Sequence, residues 1–295
     1  MKTKNLMLSG AILMIASSLV FTGCRKKDTT DSDTSGASDN ALADQSFNDM
    51  HQVSDEASKA SQGGGLSGYR MADYNGILST CATVTQFDTA AKQITVDFGA
   101  TNCLCNDGRY RRGKIFISYS FGFHHQGYWD SLCSITITTK DPSSGAYNYF
   151  VNDNQIKGTR NVTNNGRNAA HHLNWSITEN GQVIKANNQG TVTWNATRNR
   201  EWTAGETTPL NWLDDVYSIT GTANGTHANG ESFNMTINSP LVFQVGCMYH
   251  WVSGTFDYTP GTKPTRHVDF SPPNNGACDG IATVVINSKT YTINF

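Results

Sequence analysis

Charge is scarce in this 295-residue chain, and neither sign prevails: 16% of residues are charged, and 22 Lys and Arg stand against 24 Asp and Glu for a net charge of −2. No basic surplus exists to hold nucleic acid phosphates or anionic lipid, so nucleic acid is excluded as a partner. Prolines number only 7 against 27 glycines, and 37% of residues are hydrophobic, a composition suited to a folded globular chain rather than a disordered one. The familiar catalytic signatures are missing too. There is no G-x-S-x-G elbow, no H-E-x-x-H pair and no phosphate-cradling glycine loop, and no motif implies a cofactor. Beyond residue 21 no run is apolar enough to span a bilayer.

What is present begins with a processing signal. Lys2 and Lys4 precede an apolar stretch from Leu6 to Phe21, the layout of a secretory signal peptide over residues 1–23. The stretch closes in Phe21-Thr22-Gly23-Cys24, which resembles a bacterial lipobox, with Phe21 standing where an aliphatic residue is usual. The resemblance implies acylation of Cys24 and a chain held to a membrane by N-terminal lipid. Each buried methylene contributes about 0.8 kcal/mol, so more than one acyl chain anchors stably.

Residues 24–40 contain no large apolar side chain, so the reading is a flexible tether. Asp39 or Asn40 is suited to cap a following helix. Leu42, Phe47, Met50, Val53 and Ala57 recur at helical spacing, predicting one amphipathic helix over 41–61 that packs on a β domain. Gln62-Gly63-Gly64-Gly65 then breaks it.

From residue 69 to 295 the expectation is an all-β domain. Ile115, Ile117, Tyr119 and Phe121 alternate with Phe116, Ser118 and Ser120, and Trp175 and Ile177, Val192 and Trp194, and Phe233 and Met235 alternate with polar residues. Asp107-Gly108, Asn165-Gly166, Asn180-Gly181, Asn229-Gly230 and Asp279-Gly280 read as tight turns. A dozen or more antiparallel strands predict a sandwich or a curled, barrel-like meander.

An internal echo links the two ends of that domain. Cys81, Val96-Asp97-Phe98 and Cys103-Leu104-Cys105 recur in order as Cys247, Val268-Asp269-Phe270 and Cys278. Equivalence of the two units pairs Cys247 with Cys278 and Cys81 with Cys103 or Cys105, leaving Cys133 to the remaining thiol. Six cysteines besides Cys24 allow fifteen connectivities, and an oxidising, exported location suits disulfides.

Asp39-Asn40-Ala41-Leu42-Ala43, Ile94-Thr95-Val96-Asp97-Phe98-Gly99, Asp107-Gly108-Arg109-Tyr110-Arg111-Arg112-Gly113-Lys114, Gly158-Thr159-Arg160-Asn161-Val162-Thr163-Asn164 and the closing Val285–Ile293 resemble a set of Bacteroidota lipoproteins with no established activity. The resemblance spans most of the mature chain. It implies a lipid anchor at the outer membrane and carries over no catalytic position. Surface lipoproteins of that phylum carry acidic residues just after the cysteine, whereas here Arg25-Lys26-Lys27 comes first, leaving periplasmic and outward-facing placement both open.

Candidate chemistry is sparse. Adjacent Asp214 and Asp215 could serve a carbohydrate-active hydrolase, the alternative function, but neighbours on a strand point to opposite faces and glycoside hydrolysis needs convergent carboxylates. His124-His125, His171-His172 and Cys103-x-Cys105 lack metal-ligand spacing, so no metal site is expected. The six tryptophans could stack on sugars or anchor a protein interface. Trp202 and Trp212, flanking a loop with Gly205 and Pro209, are the surface candidates. The expected function is therefore non-catalytic binding of a protein or glycan partner, or a structural role, at the envelope.

Overall fold

Side chains that alternate along the chain alternate in burial: Ile115, Ile117, Val192, Trp194, Phe233 and Met235 all turn inward. A computed structural model describes residues 31–61, 78, 80–85, 92–120, 131–208, 212–247, 251–271 and 277–294. Cys24, Phe121, His124 and His125 lie outside these residues, as does the glycine run after Ser61. Among the described residues no helix is long and apolar enough to cross a membrane.

The first half of the sheet is built from short strands: β1 (Thr83–Val84), β2 (Gln93–Asp97), β3 (Cys103–Leu104), β4 (Tyr110–Arg112), β5 (Lys114–Tyr119), β6 (Ser134–Thr138) and β7 (Phe150–Val151). Long strands follow: β8 (Asn154–Arg167), β9 (Leu173–Ile184), β10 (Thr191–Ala204), β11 (Val216–Thr226), β12 (Ser232–Gln244) and β13 (Trp251–Pro260). Three shorter ones close the chain: β14 (Arg266–Asp269), β15 (Ile281–Ile286) and β16 (Lys289–Asn294). All sixteen join one antiparallel sheet running from β1 to β16. The ends do not meet in the strand order, so the sheet is an open all-β meander.

One helix, α1 (Ser35–Ser61), starts six residues before the expected boundary at Ala41. The tether therefore cannot extend to residue 40, and neither Asp39 nor Asn40 is a cap. The lack of large apolar residues did not forbid burial here, because the sheet supplies polar partners. Asp39 accepts hydrogen bonds from Lys185 Nζ at 2.8 Å and from the Ala228 backbone N–H at 2.8 Å. Asp33 takes over the capping role by accepting the Ser35 N–H at 2.9 Å.

Helix α1 also differs from the expected one-sided amphipathic form. Phe47, Met50, Val53 and Ala57 are buried, but so are Asp44, Asp49, His51, Ser54 and Ser58. Asp39, Asp44 and Asp49 are five residues apart, so successive carboxylates turn by about 140° around the axis. They meet Lys185 beyond β9, Arg198 on β10 and Arg111 on β4. Three directions and three different parts of the sheet mean that the sheet curls around the helix. The helix touches the strands at both ends of the sheet, β1 and β2 at one and β16 at the other.

Two expected turns are strand interior. Asn180-Gly181 sits within β9, where Gly181 faces Gly158 of β8. A Cβ on Gly181 would lie 2.8 Å from Phe47 Cζ and 2.2 Å from the Lys157 carbonyl oxygen, so the paired glycines form a dent that admits the Phe47 ring. Asn165-Gly166 falls at an irregularity in β8. Asp107-Gly108 and Asn229-Gly230 do turn, between β3 and β4 and between β11 and β12. Several hairpins instead use non-glycine residues at positive φ: Asn152 and Asp153 at 47° and 63°, Asn287 and Ser288 at 49° and 64°.

The internal echo has a structural counterpart. Asp97 and Asp269 each end a strand and accept a backbone N–H two residues on, at 2.8 Å in both cases. The Phe98 and Phe270 N–H groups each donate to the carbonyl of a positive-φ glycine, Gly113 and Gly254 respectively. Disulfides join Cys81 to Cys103 and Cys247 to Cys278, with Cα separations of 5.6 and 5.0 Å. Cys105 and Cys133 are buried thiols rather than a third disulfide.

Candidate functional site

Titratable groups that could do chemistry are concentrated inside the sheet, because inward positions of β4, β8 and β10 carry arginines. Arg111 is fully buried and donates to Asp49 of α1, and its Nη1 donates to Asp107 Oδ1 at 2.8 Å. Tyr149 donates to the other oxygen of Asp49 at 2.8 Å. Burial opposes the charge of Arg111, but Asp49 and Asp107 hold its pKa well above the usual value. Burial, with Asp49 beside it, likewise keeps Tyr149 protonated far beyond its ordinary range. Within the sheet, Arg160 of β8 pairs with Glu179 of β9, which also accepts the Trp194 indole N–H at 2.7 Å. Burial raises the Glu179 pKa, and Arg160 opposes that rise. These carboxylates are held by cations and hydrogen-bond donors of the fold itself, an arrangement that orients side chains and stitches helix to sheet.

The sequence candidates separate. Asp215 is buried and accepts the Tyr217 hydroxyl at 3.4 Å, whereas Asp214 is exposed and accepts the Thr208 hydroxyl at 2.8 Å. Their environments diverge, so they do not form a convergent pair around one bond. Trp202 is buried, only 8% exposed, and stacks on Tyr217 with ring centroids 5.8 Å apart. It corrects the surface assignment: the last inward position of β10 continues the alternation of Trp194, Arg198 and Arg200, and the loop begins beyond it. Trp212 opens a short 3-10 turn, Trp212–Asp214. His172 hydrogen-bonds Glu201 at 2.6 Å and His171 has a φ of 66°, so the pair serves a side-chain hydrogen bond and a turn. Among the described residues no group of three or more His, Cys, Asp or Glu is placed to hold a metal ion.

Sequence reading missed the outer face of the small sheet formed by β3, β4 and β7. Leu104 and Tyr110 are cross-strand partners there, 55% and 46% exposed. Two residues on, Arg112 lies over the Phe150 ring at 3.8 Å and pairs with Asp153, while its Nη1 donates to Asn102 Oδ1 at 2.6 Å. The neighbouring Cys81–Cys103 disulfide and the Asn152-Asp153 turn restrain this face. The sequence carries the signal only in the alternation Tyr110, Arg111, Arg112, whose middle residue turns inward. Set beside known proteins, the chain matches no family, no curated protein and no solved structure.

Proposed function

We propose that this chain is a lipid-anchored protein of the bacterial outer membrane with a non-catalytic role, binding a protein or glycan partner or supporting envelope structure. The Lys2–Lys4, apolar stretch and Cys24 order supports the anchor. The resemblance to Bacteroidota lipoproteins supports the same placement. Binding is favoured over hydrolysis by one observation above others: Asp214 and Asp215 point into different surroundings, and the buried carboxylates Asp44, Asp49 and Glu179 are each held by an arginine of the sheet. The Leu104 and Tyr110 pair offers a contact surface on a restrained part of the fold.

Labelling with a palmitate analogue tests the anchor: the wild-type chain takes up label and a Cys24→Ala variant does not. Uptake by the variant removes the anchor from the reading. Protease shaving of intact cells distinguishes the two faces, since release of β-domain peptides places the domain outside. A glycan-hydrolysing activity lost in the Asp214→Asn, Asp215→Asn double variant would replace the binding reading with the hydrolase.

A further inference from the structure

Strand β16 ends the sheet, and among the described residues β15 is its one strand neighbour. The hairpin joining them has a two-residue loop, Asn287-Ser288, closed by the pair Ile286 and Lys289. In such a hairpin the closing pair exchanges hydrogen bonds and the pattern then alternates. Lys289, Tyr291 and Ile293 therefore spend their backbone groups on β15, while Thr290, Thr292 and Asn294 aim theirs outward. The last three are exposed. Between Thr290 and Asn294 the strand itself has no proline, no bulge and no charged residue, and among the described residues no strand pairs with its outer edge.

We infer that β16 is a pairing edge for β16 of a second copy of this chain. The alternation selects the register. A two-fold axis through Thr292 sets Thr292 against Thr292 of the partner subunit and Thr290 against Asn294 of the partner subunit. Every outward N–H then meets an outward carbonyl, for about six bonds. A register shifted by one residue would put outward groups against groups already used by β15. On the inner face the same axis places Tyr291 opposite Ile293 of the partner subunit, an aromatic and β-branched pair of the kind that stabilises sheets. Lys289 falls outside the paired stretch, so no like charges oppose. The other end of the sheet, β1, has two residues and is too short to serve as the mate. The contact is thus isologous and closes as a dimer.

Sedimentation equilibrium of the full chain tests this, with average mass rising from one chain toward two between about 1 and 500 µM, as suits a small interface. Thr292→Pro removes an outward N–H that β15 does not use, so it leaves the circular dichroism spectrum unchanged and abolishes the rise. Should that variant not fold, Thr292→Cys decides: the residue faces itself across the axis, and a short bis-maleimide joins two copies there but not at Ser288→Cys. A chain that stays monomeric throughout the range overturns the inference. A dimer that survives Thr292→Pro, or that gives no cross-link at Thr292→Cys, overturns it equally.

Discussion

At the scale of single residues, the pairs between helix and sheet carry the largest energetic stakes. Arg198 is buried, and its Nη2 lies 3.1 Å from Asp44 Oδ1. Removing one member of such a pair leaves a charge in a medium that solvates it poorly, whereas removing both can be nearly neutral. Asp44→Asn is expected to cost about 3–5 kcal/mol in urea unfolding, and Asp44→Asn with Arg198→Met to recover much of that loss. A loss in the double variant equal to the sum of the Asp44→Asn and Arg198→Met losses would show that the pair is not coupled. His227 makes a pH-dependent contribution. It stacks on Phe233 at 4.5 Å and abuts Gly36 of α1, and burial lowers its pKa below the ordinary 6.5 although Asp39, Glu231 and Asp33 pull the other way. The unfolded chain then binds a proton that the folded chain resists. Its contribution is full above about pH 6.5 and declines as the pH falls below it. Stability measured at pH 7.5 and 5.5 should fall more in the wild type than in His227→Gln; parallel losses would exclude His227 as the cause.

At the scale of elements, α1 is held by shape as well as charge. Phe47 occupies the dent made by Gly158 and Gly181, where added Cβ atoms would lie 3.0 and 2.8 Å from its ring. Phe47→Ala should cost about 3–5 kcal/mol by leaving a cavity. Gly181→Ala should cost about 1–3 kcal/mol or more, because the new methyl also meets the Lys157 carbonyl and neither strand can retreat without breaking the ladder. Stability near wild type in Gly181→Ala would mean that the ring is not seated there. The strands themselves were legible: period-two alternation at Ile115 to Tyr119, Trp175 to Ile177 and Phe233 to Ile237 marks the inward face wherever one side is apolar. The start of α1 and the role of Gly181 were not legible. A buried aspartate reads as a solvated one until its arginine is known, and a glycine that admits a ring across a sheet reads like one that turns.

At the scale of the whole molecule, two disulfides reinforce the two ends of an open sheet. Cys81–Cys103 closes a separation of 22 residues and Cys247–Cys278 one of 31, so each should contribute about 3 kcal/mol by restricting the unfolded chain. Alkylation in denaturant without reductant should label Cys105 and Cys133 alone among the six cysteines of the β domain. In the native state it should label neither, since both are buried and burial raises the Cys105 pKa. A third disulfide joining those two would contradict the arrangement. By itself the sequence determined the all-β class, the inward face of most strands and the correspondence of Cys247 with Cys278. These depend on local period and on residues that mark their own role. Only the tertiary structure decided that the helix is enclosed by the sheet, that Trp202 belongs to the interior and that Leu104 meets Tyr110 in the open. Each of those depends on contacts between segments distant along the chain, whose partners no local pattern names.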